Sequence, residues 1–290
     1  MEAPSKAVLI TGCSTGIGRA TAERLARAGH VVYATARNET TLEPLARLGA
    51  RTMALDVCSE DSMRAGVERV VAEQGAVGVL VNNAGYSQDG AVESVSMEAV
   101  QRQFQTNVFG LIRMCQLVLP GMRAQRYGRI VNISSMGANF TFPGAGLYHA
   151  TKYAVEAISD ALRFEVKDFG VGVTVIQPGL IRTNFGEAAA NSLEGEGENG
   201  DGDGDGVYGR FNRDVAQMTV EAYHKGPLAK FGGEPDAVAK AVEKAIDRRT
   251  APIRVRVTPS AHMLVAQRRM MGAGMWDRFL ATQFTRPAPD

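Results

Sequence analysis

Cysteine is scarce in this chain. There are three in 290 residues, Cys13, Cys58 and Cys115, far apart and without CxxC spacing or a histidine partner. That excludes a disulfide framework or a structural zinc site as the basis of the fold. The four histidines, His30, His149, His224 and His262, form no HExxH or other ligand pattern, so no resident metal is expected. An excess of one charge is also lacking. The net charge of +1 gives no general attraction to nucleic acid or to an acidic membrane surface. The opening MEAPSKAVLITG carries an acid at position 2 and reaches glycine after a short apolar run, which is the pattern of neither a signal peptide nor an integral membrane span. A cytoplasmic location is the matching expectation.

What is present suits a soluble globular protein with a sizeable core. Short β-branched runs alternate with longer helical patterns. AVLIT (7–11), VVYATA (31–36), RTMALDV (51–57), VGVLVNNAG (77–85), GRIVNISS (128–135) and GVGVTVIQPG (170–179) read as strands. Continuous apolar strands between helices predict an α/β fold with a parallel sheet covered on both faces, and right-handed crossovers make it a doubly wound, Rossmann-type sheet. MEAVQRQFQTNVFGLIRMCQLVLPGM reads as one long helical segment. EPDAVAKAVEKAIDRR (234–249) reads as an amphipathic helix and PIRVRVTP (252–259) as a last strand. The tail HMLVAQRRMMGAGMWDRFLATQF reads as a helix covering the core or an interface, with a membrane-surface role as the alternative. No internal repeat or second domain is visible.

One segment breaks the pattern. EGEGENGDGDGDG (194–206) is almost wholly glycine and acid; with nothing to bury and mutually repelling charges it is expected to be a flexible loop. DGDGDG copies the first half of a calcium-binding EF-hand loop, but position 12 counted from Asp201 is Asn212 and not the bidentate glutamate. Calcium is therefore not expected there.

The first strand runs straight into TGCSTGIG (11–18) and a helix. Gly12, Gly16 and Gly18 allow a tight turn and close backbone approach, and the helix N-terminus offers free N–H groups to a pyrophosphate. Cys13 inside this loop reads as a small residue beside the phosphates. The end of the second strand carries Ala36 and then Arg37, where an acid would instead bind the ribose 2′-hydroxyl of NAD. An arginine fork suits a phosphate, so NADP is favoured over NAD, although Glu39 lies two residues on. Asp56 either contacts the adenine or caps the next helix. YHATK (148–152) places Lys152 one helical turn beyond Tyr148. A cation there would lower the phenol's pKa toward the range useful for proton transfer.

These residues together resemble the single-domain branch of the short-chain dehydrogenase/reductase family. TGCSTGIG matches the family's TGxxxGxG, NNAG (82–85) its strand-four motif, Asn107 in TNVFG its helix asparagine, YHATK its YxxxK, and PGLIRT (178–183) its PGxxxT. Ser135 lies thirteen residues before Tyr148, as the family's serine does.

The resemblance implies a single dinucleotide-binding oxidoreductase domain over 1–290. Tyr148 is then the acid–base residue, and Lys152 lowers its pKa and holds the nicotinamide ribose. Ser135, preferred over Ser134 by its offset, hydrogen-bonds the substrate oxygen, and Asn107 binds a water linking Lys152 to solvent. Gly12, Ser14, Thr15, Gly16, Ile17, Gly18, Arg37, Asp56, Val57, Asn83, Ala84, Gly85, Pro178, Gly179, Ile181 and Thr183 become cofactor contacts, Thr183 at the carboxamide. The implied activity is NADP-dependent interconversion of an alcohol and its ketone or aldehyde. A non-catalytic NADP-binding sensor is the alternative. A homodimer or homotetramer is implied as well. Phe140, Phe142 and Phe185 suggest a lipophilic substrate such as a steroid, retinoid or aromatic ketone, selected by a variable lid at about 184–232.

Overall fold

The computed structural model describes residues 3–194, 207–224 and 227–287. Its strands are β1 (Val8–Ile10), β2 (Val32–Ala36), β3 (Arg51–Ala54), β4 (Val79–Asn82), β5 (Gly128–Ile133), β6 (Val171–Pro178) and β7 (Arg254–Val257). They form one sheet in the order β3-β2-β1-β4-β5-β6-β7, with every neighbouring pair parallel. Parallel strands need crossovers, which the helices supply. These are α1 (Gly16–Arg27), α2 (Glu43–Arg47), α3 (Glu60–Gln74), α4 (Met97–Phe104), α5 (Gly110–Ala124), α6 (Gly146–Val166), α7 (Phe185–Glu194), α8 (Gly209–His224), α9 (Pro235–Asp247), α10 (Pro259–Met270) and α11 (Ala273–Gln283). The architecture is the doubly wound α/β sheet that the alternation of runs predicts.

Both faces of the sheet are buried because successive side chains of a strand point to opposite sides. Val8 and Ile10 of β1 join a cluster with Ala22 and Leu25 of α1, Leu45 of α2 and Val238 and Val242 of α9. Leu9, between them, joins the opposite cluster with Val67 of α3, Met114 of α5 and Val155 of α6. An apolar residue at every strand position is thus what a sheet sandwiched between two helical layers requires.

Local signals set the helix boundaries. Ser59 caps α3 by accepting from the Ser62 N–H, with Glu60 and Asp61 in the first turn, where acids favour the positive end of the helix. The long segment expected over 97–122 is helical but not uniform: one turn of π-helix, Gln105–Phe109, joins α4 to α5 and contains Asn107. Such turns are insertions into an α-helix and gather at functional sites. Helices α10 and α11 fold back over the loop after β5, where Leu264, Val265 and Trp276 pack with Phe140. The tail therefore covers the core. Residues 195–206, nearly all of the acidic glycine-rich run, lie outside the described residues. Among the described residues, no helix is long and apolar enough to cross a membrane.

Candidate active site

A cleft of about 1080 Å3 opens at the carboxyl ends of the strands, where β1 lies between β2 and β4 and the strand order reverses. This is where doubly wound sheets bind ligands. Gly12, Ser14, Thr15, Gly16, Ile17 and Gly18 form one wall. Arg37, Asp56 and Val57 lie toward one end, Asn83, Ala84 and Gly85 line the middle, and Ser135, Tyr148 and Lys152 lie with Pro178, Gly179, Ile181 and Thr183. Every cofactor residue expected from the sequence lines this cleft.

The glycine wall fits a dinucleotide. Gly12 and Gly16 have φ of +73° and +56°, values that side-chain-bearing residues rarely adopt. A Cβ on Gly18 would meet the Gly12 carbonyl oxygen at 2.2 Å. Thr15 begins α1 without a side-chain cap, and no acid occupies the first turn, so nothing on the helix neutralises its positive end or fills its free N–H groups. That is a cradle for an anion. Asn83 braces the loop by donating to the carbonyl oxygens of Thr11 and Gly12, both at 2.9 Å. Thr183 stands across the cleft from Gly16. Arg37 is exposed at the end of β2, and Glu39 is turned away, accepting from the Thr52 hydroxyl at 3.2 Å.

Asp56 is not the cap of α3, which is Ser59; its Oδ1 accepts from the Cys58 N–H at 2.9 Å while the residue lines the cleft. Cys13 does not sit beside the phosphates as its place in the loop suggests. Its side chain is turned into the core, where burial pushes the thiol up to about 12.

The other end of the cleft is buried. Helix α6 carries Tyr148 and Lys152 on one face, and the extended turn after β5 brings Ser135 to the Tyr148 phenol, an interaction that favours the phenolate. Ser135 also accepts from the Gly137 N–H at 3.1 Å, which fixes its hydroxyl. Ser134 is buried, and its hydroxyl makes no hydrogen bond among the described residues.

The electrostatics differ from the expectation that Lys152 lowers the phenol's pKa. Burial drives Tyr148 well above its ordinary value, and the downward pull comes from Ser135. Lys152 donates instead to the Ile133 carbonyl oxygen at 2.9 Å, its Nζ 5.6 Å from the centre of the Tyr148 ring. Burial pushes its ammonium down to about 8. Asn107 is the one expected catalytic residue that does not line the cleft. Its side chain clasps Tyr86, accepting from the N–H at 3.1 Å and donating to the carbonyl oxygen at 2.8 Å, and also donates to Thr151 at 3.1 Å. It is adjacent to Gly85, as is Lys152.

One expected aromatic reaches the substrate side of the cleft, joined by residues that sequence reasoning missed. Phe185, Ala188 and Tyr223, from α7 and α8, wall the cleft beside Tyr148, with the Phe185 ring 5.4 Å from Tyr148 and 6.4 Å from Tyr223. Phe185 is visible in the sequence as an aromatic just past the PG motif, but Tyr223 has no local signal. Phe140 and Phe142 are not cleft residues; they pack against Trp276 under the tail. Asp89 is a buried acid whose charge acts on both Tyr148 and Tyr223, and nothing in the sequence marks it.

A doubly wound sheet with this cleft and glycine loop defines a dinucleotide-binding fold. The family model described as short chain dehydrogenase matches residues 6–193. The chain is 37% identical over 272 residues to a 3-ketodihydrosphingosine reductase of Bacteroides thetaiotaomicron, covering 90% of each. Among solved structures it resembles a short-chain dehydrogenase from Streptomyces avermitilis, with 32% identity, 96% and 95% of the two chains covered and a TM-score of 0.76. It also resembles the closed form of a serine dehydrogenase complexed with NADP+, with 28% identity, 87% and 94% covered and a TM-score of 0.73. The chain belongs to the short-chain dehydrogenase/reductase family. It is an oxidoreductase that takes a nicotinamide cofactor and a small-molecule substrate.

Proposed function

We propose that the protein is an NADP-dependent carbonyl reductase acting on lipophilic ketones, with Tyr148 as the proton donor. The observation that carries this reading is the meeting of the Tyr148 phenol, the Ser135 hydroxyl and the buried Lys152 ammonium at the closed end of a cleft whose far end carries Arg37. When bound, the reduced nicotinamide supplies hydride to the carbonyl carbon. Ser135 holds the substrate oxygen by donating a hydrogen bond and steadies the negative charge that develops there. Tyr148 gives its proton to that oxygen. Burial keeps the phenol protonated near neutral pH, which is the form that reduction requires. Lys152 holds the nicotinamide ribose and returns the proton. Asn107 is a positioning residue that fixes the Tyr86 backbone next to Gly85. Arg37 pairs with the 2′-phosphate, a role supported by Glu39 being turned toward Thr52.

Helices α7 and α8 form the substrate lid of one dinucleotide-binding unit. Phe185, Ala188 and Tyr223 give it a mostly apolar inner surface, suited to a lipophilic compound. The relative from Bacteroides thetaiotaomicron is named for reduction of 3-ketodihydrosphingosine, and that ketone heads the substrate candidates, ahead of steroid, retinoid and aromatic ketones. The test is oxidation of NADPH and of NADH with this panel, by the wild type and Arg37→Asp. The wild type should favour NADPH, and the variant should lose at least tenfold of that preference in kcat/KM. An unchanged cofactor ratio would remove Arg37 from the assignment, and absence of turnover with every ketone would remove the substrate reading.

A further inference from the structure

His149 stands next to Tyr148 on α6, is only 5% exposed, and takes no part in the chemistry above. A buried imidazole needs a partner for its ring N–H. Here Nδ1 lies 2.6 Å from the Phe140 carbonyl oxygen. A carbonyl only accepts, so Nδ1 carries the proton of the neutral ring and donates it. Burial keeps the ring neutral by pulling its pKa below the ordinary histidine value, opposed by the backbone groups of Phe140 and Gly137.

Phe140 lies at the far end of the turn that begins at Ser135. The turn's own bonds are short-range: the Ala138 N–H donates to the Ser135 carbonyl oxygen at 3.1 Å, and the Asn139 N–H donates to that of Met136 at 3.0 Å. They fix the shape of the turn but not its place against α6. His149 supplies that tie at two points. Its Nδ1–H holds Phe140, and its ring edge fills the space that a side chain at Gly137 would need. A Cβ there would lie 2.8 Å from Cε1 and 3.1 Å from each ring nitrogen. The N–H of the same Gly137 donates to Ser135 Oγ at 3.1 Å. Imidazole, Gly137 and the Ser135 hydroxyl thus form one line of contacts, and the helix at its end also carries Tyr148, whose ring centre is 5.8 Å from that of His149. The imidazole is backed in turn by Phe140 and Phe142, each 6.1 Å away between ring centres.

We propose that His149 is a positioning residue: by tying Phe140 and packing on Gly137 it places the Ser135 hydroxyl so that it and the Tyr148 phenol reach one substrate oxygen. This rests on the carbonyl-reducing reading of the same site. The role needs a donor as well as bulk. An asparagine puts an amide N–H near where Nδ1 stands, whereas a leucine fills similar space and leaves the Phe140 carbonyl oxygen without this donor. Small errors in the placement of a reacting group slow the chemical step, so the loss should fall on kcat and spare the binding of cofactor and ketone.

The test is a double-mutant cycle of His149→Leu and Ser135→Ala, with NADPH and the ketone of the panel that the wild type reduces fastest. Ser135→Ala should lower kcat about a hundredfold, the cost of removing one such donor. His149→Leu should lower kcat about tenfold while KM and the NADPH Kd stay within about threefold of the wild type. In the Ser135→Ala background the same change should cost at most about twofold more, because the group it places is gone. His149→Asn should regain most of the lost kcat. Thermal melting and NADPH binding establish that each variant is folded, and His149→Ala takes the place of the leucine variant if that one does not fold. Equal losses in both backgrounds, an asparagine variant as slow as the leucine variant, or wild-type kcat in His149→Leu would each overturn the positioning role and leave the reductase reading standing. Failure of the wild type to reduce any ketone of the panel would remove both.

Discussion

Lys152 is buried and Tyr148 half-buried, and desolvation acts on them in opposite directions, raising the phenol and lowering the ammonium to about 8 from 10.5. Each shift favours a neutral form. For Lys152 this has a consequence for stability. Its pKa is depressed in the folded protein, so burial disfavours the charged form, and the destabilisation is complete below about pH 8 and fades as pH rises from 8 toward 10.5. Lys152→Met should therefore stabilise the cofactor-free protein by about 2 kcal/mol at pH 7, after allowing for the lost bond to Ile133. The gain should shrink above pH 8, and turnover should fall at least a hundredfold. Thermal melting across this pH range checks the first part; a lower melting temperature at pH 7 would show that Lys152 is a structural lysine. Residues of this set were legible because their spacing carries the chemistry: a tyrosine and a lysine one turn apart, and a serine at a fixed offset. Asp89 and Tyr223 were not legible, because YSQDG and EAYHK repeat nothing and the place of each depends on how distant segments pack. Cys13, Phe140 and Phe142 misled for a related reason. They are neighbours of site residues in sequence, but their side chains leave the site for the core and the tail.

The element that matters most for the cofactor is α1 and the loop before it. Gly18 is inside the helix, yet its Cα faces the Gly12 carbonyl oxygen, and an added Cβ would also lie 2.4 Å from Asn83 Nδ2. Both contacts involve the atoms that shape the loop. Gly18→Ala should therefore weaken NADPH binding at least tenfold and lower the melting temperature, measurable by cofactor fluorescence titration and thermal unfolding. Unchanged binding would mean that the loop is not the phosphate cradle. The glycine spacing announced this element, since three glycines between a first strand and its helix let the backbone close in on a bound pyrophosphate. The π-turn at Gln105–Phe109 was not announced: its residues suit an ordinary helix, and only the demands of Tyr86 and Thr151 on Asn107 give it a purpose.

For the molecule as a whole, the parallel sheet could be read from runs such as VVYATA and GVGVTVIQPG, because a strand buried on both faces has no polar side to show. The doubly wound arrangement followed from right-handed crossovers. The cover over the substrate end could not be read in the same way. Residues 184–232 have no motif, and the packing of Phe185, Ala188 and Tyr223 near Tyr148 is a tertiary outcome. The division of labour in the proposed reaction is a sheet edge that holds the cofactor, an α6 that holds the proton donor, and a lid that decides which carbonyl reaches it. The central claim, that Tyr148 passes the proton while other groups bind the cofactor, is tested most directly by a single-turnover experiment. Wild type and Tyr148→Phe are loaded with NADPH and mixed with ketone, and NADPH oxidation is followed by absorbance. Tyr148→Phe should bind NADPH with a Kd within about threefold of the wild type and oxidise it at least a thousandfold more slowly, the size expected for losing a positioned proton donor. Oxidation at the wild-type rate would contradict the assignment.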